Sequence, residues 1–157
     1  MAQRKPSEQT SRPPVRTTYL VSQTWFALRD LTDIALKQHG ITGIQYTVLS
    51  ILASRNNLSP AQLSRRFYVT PQAMGQMLTL LETSGLLNRT EDPANRRILR
   101  VTLTKAGLDL VKECDAEMKV IEEDVFSILT AKEITMLRSM LQSVAEHARK
   151  DATTSAA

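Results

Sequence analysis

Side chains suited to contact a polyanion are concentrated in two short stretches of the sequence. In the first, hydroxyl and amide groups follow directly on a helix-start signal, at Thr70, Pro71, Gln72 and Gln76. Gln can bind adenine through two hydrogen bonds, and Thr offers a hydroxyl and a methyl group to a base edge. Because Gln72 and Gln76 are four residues apart, they share one face of a helix. The alternative is a surface helix whose polar residues meet only solvent.

The second stretch is Asp92-Pro-Ala-Asn-Arg-Arg97, which is rich in turn formers and carries two adjacent arginines, Arg96 and Arg97. Residues 86–90 and 98–103 on either side have the composition of strands, and the second run alternates as a half-buried strand does. The pattern predicts a β-hairpin whose basic tip spans residues 91–97. Merely solvated arginines are the alternative.

The distribution of charge supports a polyanion partner for the middle of the chain. The 157 residues carry 20 Lys and Arg against 16 Asp and Glu, a net charge of +4. Residues 55–105 hold eight basic and three acidic side chains, a net +5, whereas residues 106–157 hold six basic and ten acidic side chains, a net −4. Segregation of this kind favours nucleic-acid contact by the middle third.

The elements that must position these side chains are mostly helical. Only five Gly, six Pro and 4% aromatic residues are present, which disfavours an all-β sandwich or barrel with its frequent turns. Hydroxyl residues followed by Gln, Glu or Pro mark repeated helix starts. We therefore expect a mainly α fold with one small β-hairpin and six helices, at residues 17–38, 43–54, 60–67, 71–84, 105–128 and 131–149.

Two short capped helices, joined by a tight connection, immediately precede the hairpin. This order is typical of a winged helix-turn-helix, in which the second helix enters the major groove of DNA. Nearby arginines are candidates for phosphate contacts, which position a protein without reading sequence; they are Arg55, Arg65, Arg66 and Arg89.

Across residues 17–149 the sequence resembles the MarR family of bacterial transcriptional regulators. The matching motifs are Leu63-Ser-Arg-Arg-Phe67, Val69-Thr70, Leu81-Glu-Thr-Ser-Gly-Leu-Leu87, Asp92-Pro-Ala-Asn-Arg-Arg97 and Val101-Thr-Leu-Thr-Lys-Ala-Gly107. The resemblance implies a homodimer that binds a palindromic double-stranded DNA operator, represses transcription and is released by a small ligand. It also implies that Arg96 or Arg97 enters the minor groove and that Asp92 pairs with one of these two arginines.

The resemblance further divides the chain into segments. It implies a first dimerisation helix at 17–40, the winged helix-turn-helix at 41–104 and C-terminal dimerisation helices at 105–150. The polar, proline-containing composition of residues 1–16 predicts a disordered basic arm, which either touches DNA phosphates or makes no contact, and residues 151–157 are expected to form a disordered tail. Apolar seams in the last two helices agree with a partner helix; their members are Val111, Cys114, Met118, Ile121, Val125 and Ile128, then Ile134, Leu137, Leu141, Val144 and Ala148. We favour pairing with a second copy over a bundle core within one chain.

The family's small ligands imply a crevice between the dimerisation helices and the winged helix, occupied by an aromatic carboxylate or a phenol. The residues that match such a crevice best are Trp25, Phe26, Arg29, His39, Tyr46 and Tyr68. Aromatic side chains would stack on the ring, and Arg29 or His39 would pair with a carboxylate. A core Trp25 and a helix-end His39 are the alternatives.

Other functional classes find little support. The sequence holds only two histidines and shows no phosphate loop or nucleophile motif, which argues against an enzyme. The same features argue against a metal site or a cofactor. Cys114 has no second cysteine to resolve an oxidised form, so a buried thiol is favoured over a redox-responsive regulator. The absence of an apolar run long enough for a membrane suggests a cytoplasmic protein. A winged helix that contacts proteins and never binds DNA remains the competing hypothesis.

Overall fold

The computed structural model describes residues 15–55 and 57–154, with side chains up to residue 148. The described part contains six helices and one antiparallel hairpin. In chain order the elements are α1 (Thr17–Leu36), a 3₁₀ turn (Lys37–His39), α2 (Gly43–Ser54), α3 (Pro60–Phe67), α4 (Pro71–Thr83), β1 (Leu87–Asp92), β2 (Asn95–Leu103), α5 (Lys105–Val125) and α6 (Ala131–Thr154). The expected mainly α fold with a small hairpin is confirmed.

Side-chain caps explain where the helices begin. Thr42 and Ser59 each accept the backbone N–H of a Gln three residues on, and each Gln side chain reaches back to the cap's own N–H. Thr70 and Thr104 accept from the third helical residue in the same way, at 3.1 and 3.0 Å. These groups satisfy N–H donors that the helix itself leaves unpaired, and the sequence-based helix starts agree with the observed ones.

Several element ends differ from the sequence-based expectation. Helix α5 stops at Val125 rather than at residue 128, and α6 continues to Thr154 rather than ending at 149. Residues 151–154, expected to belong to a disordered tail, are therefore helical. The expected basic arm lies outside the described residues apart from residues 15–16, and residues 155–157 of the tail also lie outside them.

The hairpin turn is much tighter than expected. Only Pro93 and Ala94 lie between the strands, so the prediction of a tip spanning 91–97 is wrong, and Arg96 and Arg97 belong to β2. The physical reason is a carboxylate cap. Asp92 Oδ1 accepts from the backbone N–H of Ala94 at 2.7 Å and of Asn95 at 3.3 Å, which closes the turn. Asp92 lies opposite Asn95 at the hairpin end, across a register shift that leaves residues 96–98 of β2 without an opposite residue on β1.

The core lies in the lobe built from α2, α3, α4 and the hairpin, closed by the end of α1 and the first half of α5. Its fully or nearly buried apolar side chains are Leu36, Ile41, Val48, Leu49, Leu52, Leu63, Met74, Leu78, Leu81, Leu87, Val101, Val111 and Cys114. The strands pair in one register from Leu87 opposite Leu103 to Glu91 opposite Leu99. One further bridge joins Leu58, before α3, to Val101 of β2.

The seam of α5 divides between two environments. Val111 and Cys114 are buried within the chain, where α5 packs on α1 and α2, so the expectation that they meet a second copy is wrong. Both positions belong to the buried core cluster of the lobe. Farther along, Ile128 is 86% exposed. Met118, Ile121 and Val125 are half-buried, so among the seam members of this segment Ile128 is the one left largely open to a partner.

Candidate nucleic-acid interface

Helix α4 places its polar face towards solvent and its apolar face in the core. Met74 and Leu78 are buried, whereas Gln72 and Gln76 are exposed. The start of the helix is fixed by the Thr70 cap and by Pro71 at its first turn. An exposed, capped N-terminal half is the arrangement that a helix needs to enter a DNA groove.

The connection between α3 and α4 is short and turns sharply at a residue with positive φ. Tyr68 caps α3 with φ 55°, and the N–H of Val69 donates to the Ser64 carbonyl at 3.2 Å. Arg65 and Arg66 occupy the exposed last turn of α3. The two helices and this turn complete the helix-turn-helix expected from the sequence.

At the hairpin, the pairing expected for Asp92 is corrected. The carboxylate pairs with Arg100, whose Nε donates to Asp92 Oδ2 at 2.5 Å, and not with Arg96 or Arg97. The turn amides of Ala94 and Asn95 occupy the other oxygen. Hydrogen bonds from the Ala94 amide first and from Arg100 next hold the pKa of Asp92 below its usual range. Arg96 and Arg97 are exposed on β2.

Arg89 serves a different purpose from the phosphate contact suggested by its charge. Its guanidinium forms an ion pair with Glu82 of α4 and donates to Thr79 at 3.2 Å. This partly buried contact, through the Arg89 hydrogen bond, lowers the pKa of Glu82. Arg89 therefore ties β1 to the C-terminal half of α4. Of the other arginines with a suggested phosphate role, Arg55 is exposed just after α2.

The expected ligand residues are distributed over four cavities, of which the one lined by Trp25 and the one lined by Tyr68 adjoin at Thr47 and Phe67. Trp25 and Arg29 line one of about 510 Å³ between α1 and α2, where Arg29 pairs with Asp30 at 2.7 Å and lies over the Trp25 and Phe26 rings. Tyr68 lines a larger cavity of about 1090 Å³ between α3 and α6. A single crevice lined by all of them is not formed by the described part of one chain.

The two remaining ligand candidates are engaged with α5. The Tyr46 hydroxyl donates to Asp115 Oδ1 at 2.6 Å, and burial together with this carboxylate raises the pKa of Tyr46 to about 12. His39 Nε2 lies 3.0 Å from Glu117 Oε1 and its Nδ1 lies 3.9 Å from Glu113 Oε2. The Tyr46 contact joins α5 to α2, and the His39 contacts join it to the 3₁₀ turn after α1.

Cys114 is fully buried, and burial raises the pKa of its thiol to about 11. A neutral, inaccessible thiol is a poor nucleophile, which agrees with the structural role favoured by the sequence. Within residues 15–55 and 57–154, no group of His, Cys, Asp or Glu side chains converges to hold a metal ion. No helix in that same part is both long and apolar enough to cross a membrane.

Sequence reasoning missed the structural partners Arg100, Asn57 and Glu82. Arg100 Nη1 donates to the Asn57 carbonyl at 3.0 Å, in addition to its bond with Asp92. An Asp-Pro-x-Asn turn, with Asp at the first position and Pro at the second, is a typical type I turn signal. A turn of this type places only Pro93 and Ala94 between the strands, and the arginine that pairs with Asp92 is then Arg100, farther along β2.

Comparisons with known proteins agree with this geometry. Residues 39–98 match the model of the MarR family. The HTH-type transcriptional repressor Mb2911 of Mycobacterium bovis is 32% identical over 126 residues, which are 80% of this chain and 91% of that protein.

Two solved structures share the fold. An S. aureus MepR–DNA complex superimposes with a TM-score of 0.78 at 21% identity, over 85% of this chain and 99% of the other. CouR of Rhodococcus jostii RHA1 bound to p-coumaroyl-CoA gives a TM-score of 0.76 at 22% identity, over 82% and 90%. With the winged helix-turn-helix described above and the 32% identical repressor, these findings show that the chain is a transcriptional regulator of the MarR family, and not an enzyme.

Proposed function

We propose that the chain is a homodimeric repressor in the cytoplasm that binds a palindromic operator and leaves it when a small anionic or aromatic ligand binds. The observation that carries the proposal is the exposed polar face of the capped helix α4, next to a hairpin with two exposed arginines. Gln72 and Gln76 supply base-edge contacts in the major groove. Arg96 and Arg97 supply the positive charge that a narrow minor groove attracts.

Thr70 and Pro71 stand at the start of the same helix and contribute to the DNA face by position. Thr70 uses its hydroxyl oxygen to accept from Ala73 N–H, so its hydroxyl proton and methyl group remain to meet DNA. Arg65 and Arg66 provide phosphate contacts from the end of α3. Asp92 acts indirectly, because it closes the hairpin turn and binds Arg100.

The exposed apolar surface of the outer helices supports a second copy as partner. On α1, seven large apolar side chains are exposed, among them Ile34 at 73%. On α6, Met136, Met140, Leu141 and Val144 are exposed as well. Apolar surface of this extent is uncommon on a monomer and marks an interaction site. A two-fold dimer would set the two α4 helices about 34 to 36 Å apart, one turn of DNA.

Charge distinguishes the cavities that a ligand could enter. The α1–α2 cavity contains Arg29, which Asp30 already neutralises, and the carboxylate of Asp33. The α3–α6 cavity contains two arginines, Arg65 and Arg66, against Glu146 alone. Both cavities offer aromatic side chains, since Phe67 lines both, Trp25 the first and Tyr68 the second. An aromatic carboxylate therefore fits the α3–α6 cavity better.

Selection from a pool of genomic DNA fragments tests the DNA-binding function. The wild-type chain should retain a small set of related, two-fold symmetric sequences. With roughly 6 to 10 phosphate contacts, affinity should fall about 10³- to 10⁵-fold between 50 and 200 mM salt. Retention of all fragments alike, or of none, would favour a winged helix that contacts proteins instead.

Three variants assign the contacts. Arg97→Ala should weaken binding to every sequence and lower the salt slope by about one, whereas Gln72→Ala should lose discrimination at particular bases. Lys119→Ala is the matched control, because it also removes one positive charge from an exposed side chain. Lys119 lies on α5, outside residues 65–97, which carry the proposed DNA contacts. Equal effects of Arg97→Ala and Lys119→Ala would contradict the assignment.

Displacement of the selected duplex by a panel of aromatic carboxylates tests the ligand site. A carboxylate that displaces the duplex from the wild-type chain should bind the DNA-free Arg66→Gln variant at least about tenfold more weakly, the loss of one charge-assisted hydrogen bond. Arg29→Gln should bind it as the wild type does. The reverse pattern would place the ligand in the α1–α2 cavity.

A further inference from the structure

The structure assigns to Arg100 the role of a positioning residue that fixes the hairpin against the start of α3, so that Arg96 and Arg97 reach DNA together with α4. This inference rests on the proposed DNA-binding function. Arg100 is not among the residues proposed above to contact DNA, and the sequence motifs assign it no role.

Two hydrogen bonds from one guanidinium carry the inference. Arg100 Nε donates to Asp92 Oδ2 at 2.5 Å, at the end of the hairpin, and Nη1 donates to the Asn57 carbonyl at 3.0 Å, in the connection between α2 and α3. The side chain of Asp92 is 12% exposed and that of Arg100 is 30% exposed. A planar guanidinium can hold two acceptors in fixed directions, which a lysine ammonium does not.

The backbone beside Arg100 is fixed to the same connection. The N–H of Val101 donates to the Leu58 carbonyl at 2.9 Å, and Val101 is fully buried. Asn57 has φ 66°, and Ser59 two residues later caps α3. The hairpin therefore meets the entry to the helix-turn-helix through adjacent residues of both segments. A change at Arg100 would alter the angle between the hairpin and α3.

The ion pair of Arg100 with Asp92 also links the contact between β2 and residues 57–58 to the hairpin turn. Asp92 Oδ1 holds the amides of Ala94 and Asn95, while Oδ2 holds Arg100. One carboxylate thus fixes both the shape of the turn and its place relative to the lobe. Arg96 and Arg97 are the second and third residues of β2, between the restrained turn and Arg100, so both restraints act on the segment that carries them.

Three variants of the 157-residue chain test the role. The probe is the duplex selected by the wild type, and binding is measured as fluorescence anisotropy between 50 and 300 mM KCl. Arg100→Met should weaken binding by about tenfold or more without a change in salt slope, because no phosphate contact is lost. Arg97→Met should lower the slope by about one. Arg100→Lys, which keeps the charge, should restore less than half of the lost binding free energy.

Hydrogen exchange of the Val101 amide supplies a readout that does not need DNA. Arg100→Met should speed its exchange relative to wild type and to Arg97→Met, with the amides of α4 unchanged. Should Arg100→Met fail to fold, Asp92→Asn takes its place, because an amide oxygen still accepts from the turn while the ion pair is lost.

Each other outcome overturns the inference. A slope lowered by about one in Arg100→Met would make Arg100 a direct phosphate contact, and unchanged affinity would leave it without a role in binding. Full rescue by Arg100→Lys would show that charge alone matters. If the wild type selects no DNA, the proposed function fails. Unchanged exchange of the Val101 amide in Arg100→Met would refute, independently of DNA binding, the role of Arg100 in holding the hairpin against the connection before α3.

Discussion

Two glycines in helices should respond in opposite directions to the same substitution. Gly107 lies in the first turn of α5, where an added Cβ would stand 2.0 Å from the Leu86 carbonyl oxygen and 3.0 Å from its carbon. Those atoms belong to backbone, and the same oxygen accepts from the Thr104 N–H at 3.1 Å. Relief of the clash therefore requires α5 to move away from the residue that precedes β1.

The magnitude follows from two opposing effects. Ala has a helix propensity about 1 kcal/mol better than Gly, whereas overpacking of a filled site costs about 1 to 3 kcal/mol or more. For Gly107→Ala the contact is with backbone, so we expect a net loss of about 2 kcal/mol in the free energy of unfolding. At Gly75, within α4, an added Cβ meets nothing within 4 Å. Gly75→Ala should instead gain about 0.5 to 1 kcal/mol.

Urea unfolding followed by circular dichroism at 222 nm measures both variants, at one protein concentration so that self-association affects them equally. The expected difference between them is about 3 kcal/mol. A Gly107→Ala variant as stable as wild type would refute the close approach of α5 to the strand entry. A loss of stability in Gly75→Ala would refute the open space beside α4.

Three further variants or measurements test other contacts. Ser59→Ala removes the cap that accepts from Gln62 and should cost about 0.5 to 2 kcal/mol in urea unfolding; no loss would contradict the capping box. Cys114, with its pKa raised to about 11, should react with a thiol reagent at pH 8 only at the rate of unfolding, and rapid native labelling would exclude its burial. Tyr46 ionises near pH 12 in the folded chain and near 10 unfolded, so stability should fall as pH rises from 10 to 12. Tyr46→Phe should lose that part of the fall and the late absorbance change at 295 nm; an unchanged titration would contradict the Asp115 contact.

Much of the fold could be predicted because local signals agree with the tertiary structure. The capping residues Thr42, Ser59, Thr70 and Thr104 begin helices where their hydroxyls accept backbone N–H groups. The C-terminal ends of helices are predicted less accurately than their starts. Helix α6 continues beyond residue 149, where the sequence holds no stop signal such as Gly or Pro. Helix ends depend on tertiary contacts more than starts do, and they fray.

The site was predictable in its residue types and less so in their partners. Exposure of Gln72 and Gln76 follows from the helical period, which places Met74 and Leu78 in the core. Asp92 pairs with Arg100 because only two residues separate the strands. A tip spanning residues 91–97 would instead bring Arg96 or Arg97 close to Asp92.

Long-range placement explains the remaining differences in the site. Trp25 lines the cavity beside α1 and Tyr68 lines the cavity beside α6, and these two cavities share Thr47 and Phe67 as lining residues. Sequence periodicity shows which face of a helix is apolar, but not which neighbour covers that face.

A hydroxyl-radical footprint on the duplex selected by the wild-type chain tests the central claim most directly. A homodimer with two α4 helices in successive major grooves should protect two symmetric half-sites whose centres are about 10 base pairs apart. Protection should also extend into the flanking minor grooves and be lost there in an Arg96→Ala, Arg97→Ala double variant. A single protected half-site, or protection without two-fold symmetry, would contradict the account.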